Sequence, residues 1–239
     1  MGFYAYLKET DKQIADDYAA SPRYFCLSPT RYALTEALFP IARTVLSGRC
    51  LDAGAGRMAY QQMLRGLVDD YIAMDIQHRP GLEVAGSALA LPFADAAFDS
   101  VFCSQVLEHV PDPEQALREF ARCLKPGGVL LLSTPHLAYL HNEPHDYFRY
   151  TNHGLRALCE RAGLVVESIV PAGGLLSFLG HIPSMIAKAL FYPIPGLGPL
   201  VVWLNQFSTR FVVWLDHHLD KKKLFALNFI AVTKKPKQS

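Results

Sequence analysis

Residues 49–59 read RCLDAGAGRMA. A strand expected at 49–53 ends on Gly54-Ala55-Gly56 and passes into a helical pattern through about Arg65. A strand feeding a tight glycine turn and then a helix is the opening unit of a nucleotide-binding α/β sheet. Working outward, apolar strands and amphipathic helices alternate. Strands are expected at 71–74 (ending at Asp75), near 82–85, and at 98–104. A helix at 112–124 follows, and Pro126-Gly127-Gly128 turns the chain into a strand at 129–133. A helix at 151–162, with Thr151 as N-cap and Gly163 as its stop, precedes a sixth strand at 164–170. A seventh, at 225–233, comes after a long apolar segment without a crossover helix, so strands six and seven are expected to be antiparallel neighbours. The fold class is therefore α/β: a Rossmann-like, doubly wound, seven-stranded, mostly parallel sheet with its last strand antiparallel. An apolar helical insert separates strands six and seven.

The 239 residues divide into an N-terminal lid or entry region, 1–47, and a main domain, 48–239, that carries the insert at 172–223. The first region is expected to hold a helix at 29–46 interrupted by Pro40. With 51% hydrophobic and 19% charged residues and a net charge of +1, the chain is neither a disordered tail nor a nucleic-acid binder held by bulk positive charge. Cys26, Cys50, Cys103, Cys123 and Cys159 are scattered and never form a CxxC pair. That argues against a disulfide framework or zinc knuckle and for a reducing, cytoplasmic compartment. The start has no apolar run resembling a secretory signal, and Tyr6 stands where a myristoylation motif wants Ser or Thr.

Charge narrows the ligand of the glycine turn. Asp75, about twenty residues downstream at a strand end, suits a carboxylate that accepts hydrogen bonds from a ribose diol. Asp52 lies two residues before Gly54. A dinucleotide would place its diphosphate over this turn, and a carboxylate beside it would cost roughly 1–4 kcal/mol at effective dielectrics of 80 to 20. S-adenosylmethionine carries no phosphate, and its ammonium and sulfonium are cations that an acidic residue attracts.

The motif series LDAGAG (51–56), Asp75, ALPFADAAFDSVFCSQVLEHVPDP (90–113) and LKPGGVLLLSTP (124–135) resembles the class I S-adenosylmethionine-dependent methyltransferases. The likeness is strongest to the small-molecule branch that includes the ubiquinone-pathway methyltransferases. The resemblance implies S-adenosyl-L-methionine as cofactor, with Asp52, Ala53, Gly54 and Gly56 at its methionyl end. It implies Asp75 and Ile76 at the ribose, Ser87, Ala88 and Leu89 beside the adenine, and Gln105 facing the cofactor. Two positions depart from the pattern: Met58 replaces a third glycine and is expected to pack the first helix, and Ser87 replaces an acidic residue.

Methyl transfer needs chiefly a nucleophile held in line about 3–3.5 Å from the methyl group. For a hydroxyl acceptor a base helps by roughly 10²–10⁴-fold. Two polar clusters offer one: Glu108-His109, after the fourth strand, and HNEPHDYFRYT (141–151), after the fifth. His145 is the preferred base and His109 the second candidate, and both could equally fix their loops. Asp146 and Arg149 are spaced for a salt bridge. No cluster shows a definite metal-ligand spacing, so no metal is expected.

The insert offers two apolar stretches, 174–192 and 198–215, interrupted by Pro183 and Lys188 and by Asn205, Gln206 and Arg210. Three readings stand open: a membrane span, peripheral membrane contact through 172–223, and packing on the domain or a second copy. The aromatics Phe191, Tyr192, Trp203 and Trp214, with Lys221-Lys222-Lys223 beyond them, suit peripheral contact with the inner face of a membrane. The expected function is methyl transfer to a small, apolar or lipid-linked acceptor, without nucleic acid as partner. The alternative is a non-catalytic cofactor-binding scaffold or membrane-associated interaction protein on the same fold.

Overall fold

The computed structural model describes residues 2–237, which form two compact units. One contains Phe39–Pro171 and the last strand; the other contains the N-terminal segment up to Leu38 together with Ala172–Leu227.

The first unit is built on a seven-stranded sheet: β1 (Arg49–Ala53), β2 (Asp70–Asp75), β3 (Val84–Ala85), β4 (Phe98–Ser104), β5 (Leu124–Pro135), β6 (Val165–Ala172) and β7 (Asn228–Lys234). The order is β3-β2-β1-β4-β5-β7-β6, with β7 antiparallel to β5. The expected Rossmann-like sheet, with strands six and seven as neighbours, is thus present. Cys50, Leu51, Val101, Phe102, Leu130 and Leu131 are fully or almost fully buried, because helices cover both faces and central parallel strands read as unbroken apolar runs. Helix α4 (Pro113–Cys123) shows how sequence sets the packing. Asp112 Oδ1 accepts the Gln115 amide at 3.0 Å and starts the helix. Ala116, Leu117, Phe120 and Cys123 then recur on one face and join the core with Leu155 and Leu158 of α5 (Asn152–Arg161). Thr151 caps α5 through the Gly154 amide, and Gly163 follows it with φ 82°, both as expected.

Several boundaries differ from those read in sequence, each for a local reason. Helix α3 covers only Gln61–Arg65, because Met58 adopts φ 54° and keeps the preceding residues out of the helix. The Met58 methyl lies close to Gly81. Pro126–Gly128 does not precede a separate strand but bulges out of β5: Phe98 pairs with Leu124, then Ser100 with Val129. β7 begins at Asn228, after Lys223 at φ 50° redirects the chain.

The second unit is helical, with α1 (Phe3–Asp17), most of α2 (Pro29–Val45), α6 (Leu175–Phe191) and α7 (Gly198–Leu219). Pro40 does not interrupt α2: it lies inside the helix on an exposed position, where water can satisfy the carbonyl its missing N–H leaves open. Pro183 and Lys188 likewise do not break α6. The Lys188 ammonium is 1% exposed and donates to Asp11 and to the Leu27 carbonyl, the latter at 2.7 Å. Asn205 donates to the same carbonyl at 3.0 Å. Asp216 of α7 caps α6, accepting the amides of Leu176 and Ser177 at 2.8 and 2.7 Å. Lys188 and Asn205, two of the polar residues that interrupt the apolar segments, therefore tie this unit together. No helix among the described residues is long and apolar enough to cross a membrane.

Candidate active site

The glycine turn is fastened to the end of β2. The amides of Gly54 and Ala55 both donate to the Met74 carbonyl, at 2.8 and 2.9 Å, and the Gly56 amide donates to Asp75 Oδ2 at 2.9 Å. Gly54 has φ 80°, and a Cβ there would lie 2.4 Å from the Val106 side chain. Gly56, at φ 53°, is the second left-handed position of the turn. The contact with Val106 also brings Gln105, at the end of β4, to the same crevice edge.

Asp52 is 2% exposed and takes a hydrogen bond of 2.7 Å from the Tyr71 hydroxyl. Burial pushes its carboxyl up to about 7; the Tyr71 hydrogen bond opposes that rise, while Asp75 and Glu83 add to it. Tyr71 is a partner that the sequence reading missed. Its signal lies in the register: Cys50 pairs with Tyr71, so Asp52, two residues on, shares a sheet face with it. Asp75 is occupied on both oxygens by backbone, with Oδ1 accepting the Gln77 amide at 2.9 Å. Each carboxylate oxygen has a second lone pair that can accept a further hydrogen bond.

The remaining predicted positions gather around these. Ile76 is 75% exposed, an apolar side chain presented beside Asp75. Asp75 pairs with Ala85 of β3, which carries Ser87, Ala88 and Leu89 to the same edge. The Ser87 hydroxyl accepts the Leu89 amide at 3.2 Å and shapes that turn. Gln105 stands at φ 57°, its amide bonded to the Ser133 carbonyl and its side chain 3.3 Å from the Ser133 hydroxyl. A non-glycine residue in this conformation is a form of backbone strain that concentrates at functional sites.

The two polar clusters meet. His109 Nδ1 lies 2.6 Å from the His145 carbonyl oxygen, so Nδ1 carries the proton and Nε2 the lone pair. Burial lowers the His109 pKa. It is the carbonyl of His145 that reaches His109; the His145 ring is exposed and 3.0 Å from the Tyr147 hydroxyl. The Asp146–Arg149 ion pair is formed, and the Arg149 hydrogen bond holds the Asp146 carboxyl well below the usual range. Arg149 also donates to the Tyr139 carbonyl at 2.8 Å, which fixes the loop. Glu108 is fully buried, and burial pushes its carboxyl up to about 8.

Residues 51–132 match the model of a family described as a methyltransferase domain. An uncharacterized methyltransferase of Mycobacterium tuberculosis is 51% identical over 55 residues, 23% of this chain and 22% of that protein. A demethylmenaquinone methyltransferase of Renibacterium salmoninarum is 37% identical over 95 residues, 36% of this chain and 40% of that protein. The matches thus span less than half the length of these relatives. Among solved structures, the cyclase SpnF superposes with a TM-score of 0.60 at 18% identity, over 95% of this chain and 97% of that one. The 1,6-didemethyltoxoflavin-N1-methyltransferase of Burkholderia thailandensis, with 1,6-didemethyltoxoflavin and S-adenosylhomocysteine bound, superposes with a TM-score of 0.55 at 16% identity, over 98% and 89%. These likenesses show the fold. Residues 51–132 are thus similar to a methyltransferase domain, and the chain shares its Rossmann-like sheet with these solved structures.

Proposed function

We propose that the protein transfers a methyl group from S-adenosylmethionine to a small, apolar or lipid-linked acceptor. The observation that carries this reading is the left-handed turn at Gly54 and Gly56, flanked by Asp52 and Asp75. Two carboxylates and no cationic side chain among these four residues favour a cationic nucleoside over a diphosphate. Asp52, Ala53, Gly54 and Gly56 hold the methionyl end, Asp75 and Ile76 the ribose, Ser87, Ala88 and Leu89 the adenine, and Gln105 faces the cofactor. The sulfonium supplies the reactive methyl. The protein's part is to align the acceptor and, where the acceptor is a hydroxyl, to take its proton. Of the two histidines, the exposed ring of His145 is placed to pass a proton to solvent, while His109 is turned inward by the His145 carbonyl.

The apolar character of the acceptor is supported by the second unit. Leu200, Trp203, Leu204, Phe207, Phe211 and Trp214 recur at helical spacing along α7, each at least half exposed. Such a stripe, followed by Lys221 and Lys222, suits peripheral contact with an anionic lipid surface from which an apolar acceptor is drawn. The relative named demethylmenaquinone methyltransferase supports the same class.

Titration calorimetry with S-adenosylmethionine, S-adenosylhomocysteine and NAD tests the cofactor. Binding of the first two, loss of at least tenfold affinity in Asp75→Ala, and no binding of NAD are expected; tighter NAD binding refutes the reading. Transfer of a labelled methyl group to lipid and metabolite extracts then separates turnover from binding alone. The cyclase SpnF, built on this same fold, makes that second assay necessary.

A further inference from the structure

Glu108 is a fully buried acid of the first unit that the proposed function leaves without work. Its side chain has no exposure, and among the described residues neither carboxylate oxygen has a hydrogen-bond partner. A buried carboxyl group left in that state is costly, and it calls for a cation or a donor. Two imidazoles stand around it. His109 Nε2 is 3.6 Å from Glu108 Oε1, and the His109 and His141 rings meet edge to face with centroids 4.8 Å apart. One ligand atom from each of Glu108, His109 and His141 lies within 4.8 Å of the others.

The tautomers of both rings are set from outside. His109 donates Nδ1–H to the His145 carbonyl at 2.6 Å. His141 Nδ1 is 3.1 Å from the Tyr139 carbonyl, which only accepts, and 3.6 Å from Asp146 Oδ2; the Arg149 guanidinium is farther from it than that carbonyl, at 3.4 Å. Both histidines therefore keep Nδ1–H on a backbone carbonyl and present the Nε2 lone pair. This is the outer-shell arrangement that orients histidine ligands on a metal, and Asp146, held by Arg149, backs one of them.

We propose that Glu108, His109 and His141 form a three-ligand site for a divalent metal ion of the zinc class. Two imidazole nitrogens and one carboxylate oxygen are a donor set for Zn²⁺ rather than for Mg²⁺, which prefers oxygen. Tetrahedral bonds of about 2 Å place ligand atoms roughly 3.3 Å apart, so the side chains close by small rotations and leave the fourth position to water or a bound oxygen. No ligand spacing is visible along the chain because residues 108–109 and 141 belong to loops after different strands, which the parallel β4–β5 pair sets side by side. In this arrangement His109 is a ligand, and His145 remains the proton acceptor.

The test uses the full chain stripped with a chelator and titrated with Zn²⁺ by calorimetry and with Co²⁺ by visible absorption. One equivalent of Zn²⁺, a tetrahedral Co²⁺ spectrum and no comparable uptake of Mg²⁺ are expected. Glu108→Gln and His141→Ala are each expected to weaken Zn²⁺ by at least about 100-fold, more than loss of an outer-shell partner does. Melting of the metal-free variants checks their folding, and His141→Gln replaces His141→Ala if the latter melts early. Absence of Zn²⁺ uptake by the wild type, preference for Mg²⁺, or full uptake by both folded variants overturns the site. S-adenosylhomocysteine affinity, measured in parallel on the metal-free protein, reports on the cofactor reading separately.

Discussion

The Tyr71 hydroxyl donates to Asp52 Oδ2 across the β1–β2 pair at 2.7 Å, inside a sheet that leaves Asp52 2% exposed. The carboxylate assigned to the methionyl end of the cofactor is therefore held by a single side-chain donor. Tyr71→Phe removes it without changing volume. The expected loss is about 1–3 kcal/mol of stability, the cost of an unsatisfied buried acceptor. S-adenosylmethionine affinity is expected to fall in parallel. Denaturant unfolding and calorimetry read the two effects.

The elevated pKa of Asp52 predicts a pH dependence with a definite sign. A folded-state value of about 7 against about 4 in the unfolded chain favours folding at low pH, and that contribution is lost as pH rises through 7. Cofactor binding runs the other way. The cationic ligand needs the carboxylate, so affinity for S-adenosylmethionine is expected to rise between pH 6 and 8, about tenfold per unit at most while Asp52 is protonated. Asp52→Asn is expected to lower affinity and flatten that slope. A slope that survives in the variant assigns it to another group.

Gly54→Ala tests the turn. It places a Cβ 2.4 Å from Val106 and forces an L-residue to φ 80°. The expected cost is about 2–5 kcal/mol, combining left-handed strain with overpacking. Val106→Ala on the same chain is expected to recover the overpacking share and not the strain. Thermal melting of the single and double variants separates the two.

In the helical unit, Lys188→Met leaves Asp11 without its buried cation. Breaking one half of a buried pair costs about 3–5 kcal/mol, whereas replacing both halves is close to neutral. Lys188→Met is therefore expected to unfold at clearly lower denaturant, and the double variant Asp11→Leu with Lys188→Met to regain most of the loss.

The stripe on α7 predicts co-flotation with anionic vesicles at low salt. Trp203→Ser with Phe207→Ser, two side chains 57% and 71% exposed, is expected to weaken recovery at least tenfold without lowering the melting temperature. Equal recovery of variant and wild type removes the lipid surface as the partner of this face.

What the sequence determined by itself is local. The run into Gly54 and Gly56, the cap at Thr151, and the strand periods follow from backbone freedom, capping chemistry and burial of apolar runs, all of which act over a few residues. That strands six and seven are neighbours and that the last strand is antiparallel were also legible, because a missing crossover helix leaves few connections open. Beyond the locally spaced Asp146–Arg149 pair, the tertiary structure alone decided which polar residues of distant elements meet. Strand register sets Tyr71 beside Asp52, and the β4–β5 pair brings His141 to Glu108 and His109. Lys188 reads as a break in an apolar helix until Asp11 and Leu27, more than 150 residues away in the chain, supply its partners. Contacts of that range depend on how whole elements pack, and no short window of residues encodes them.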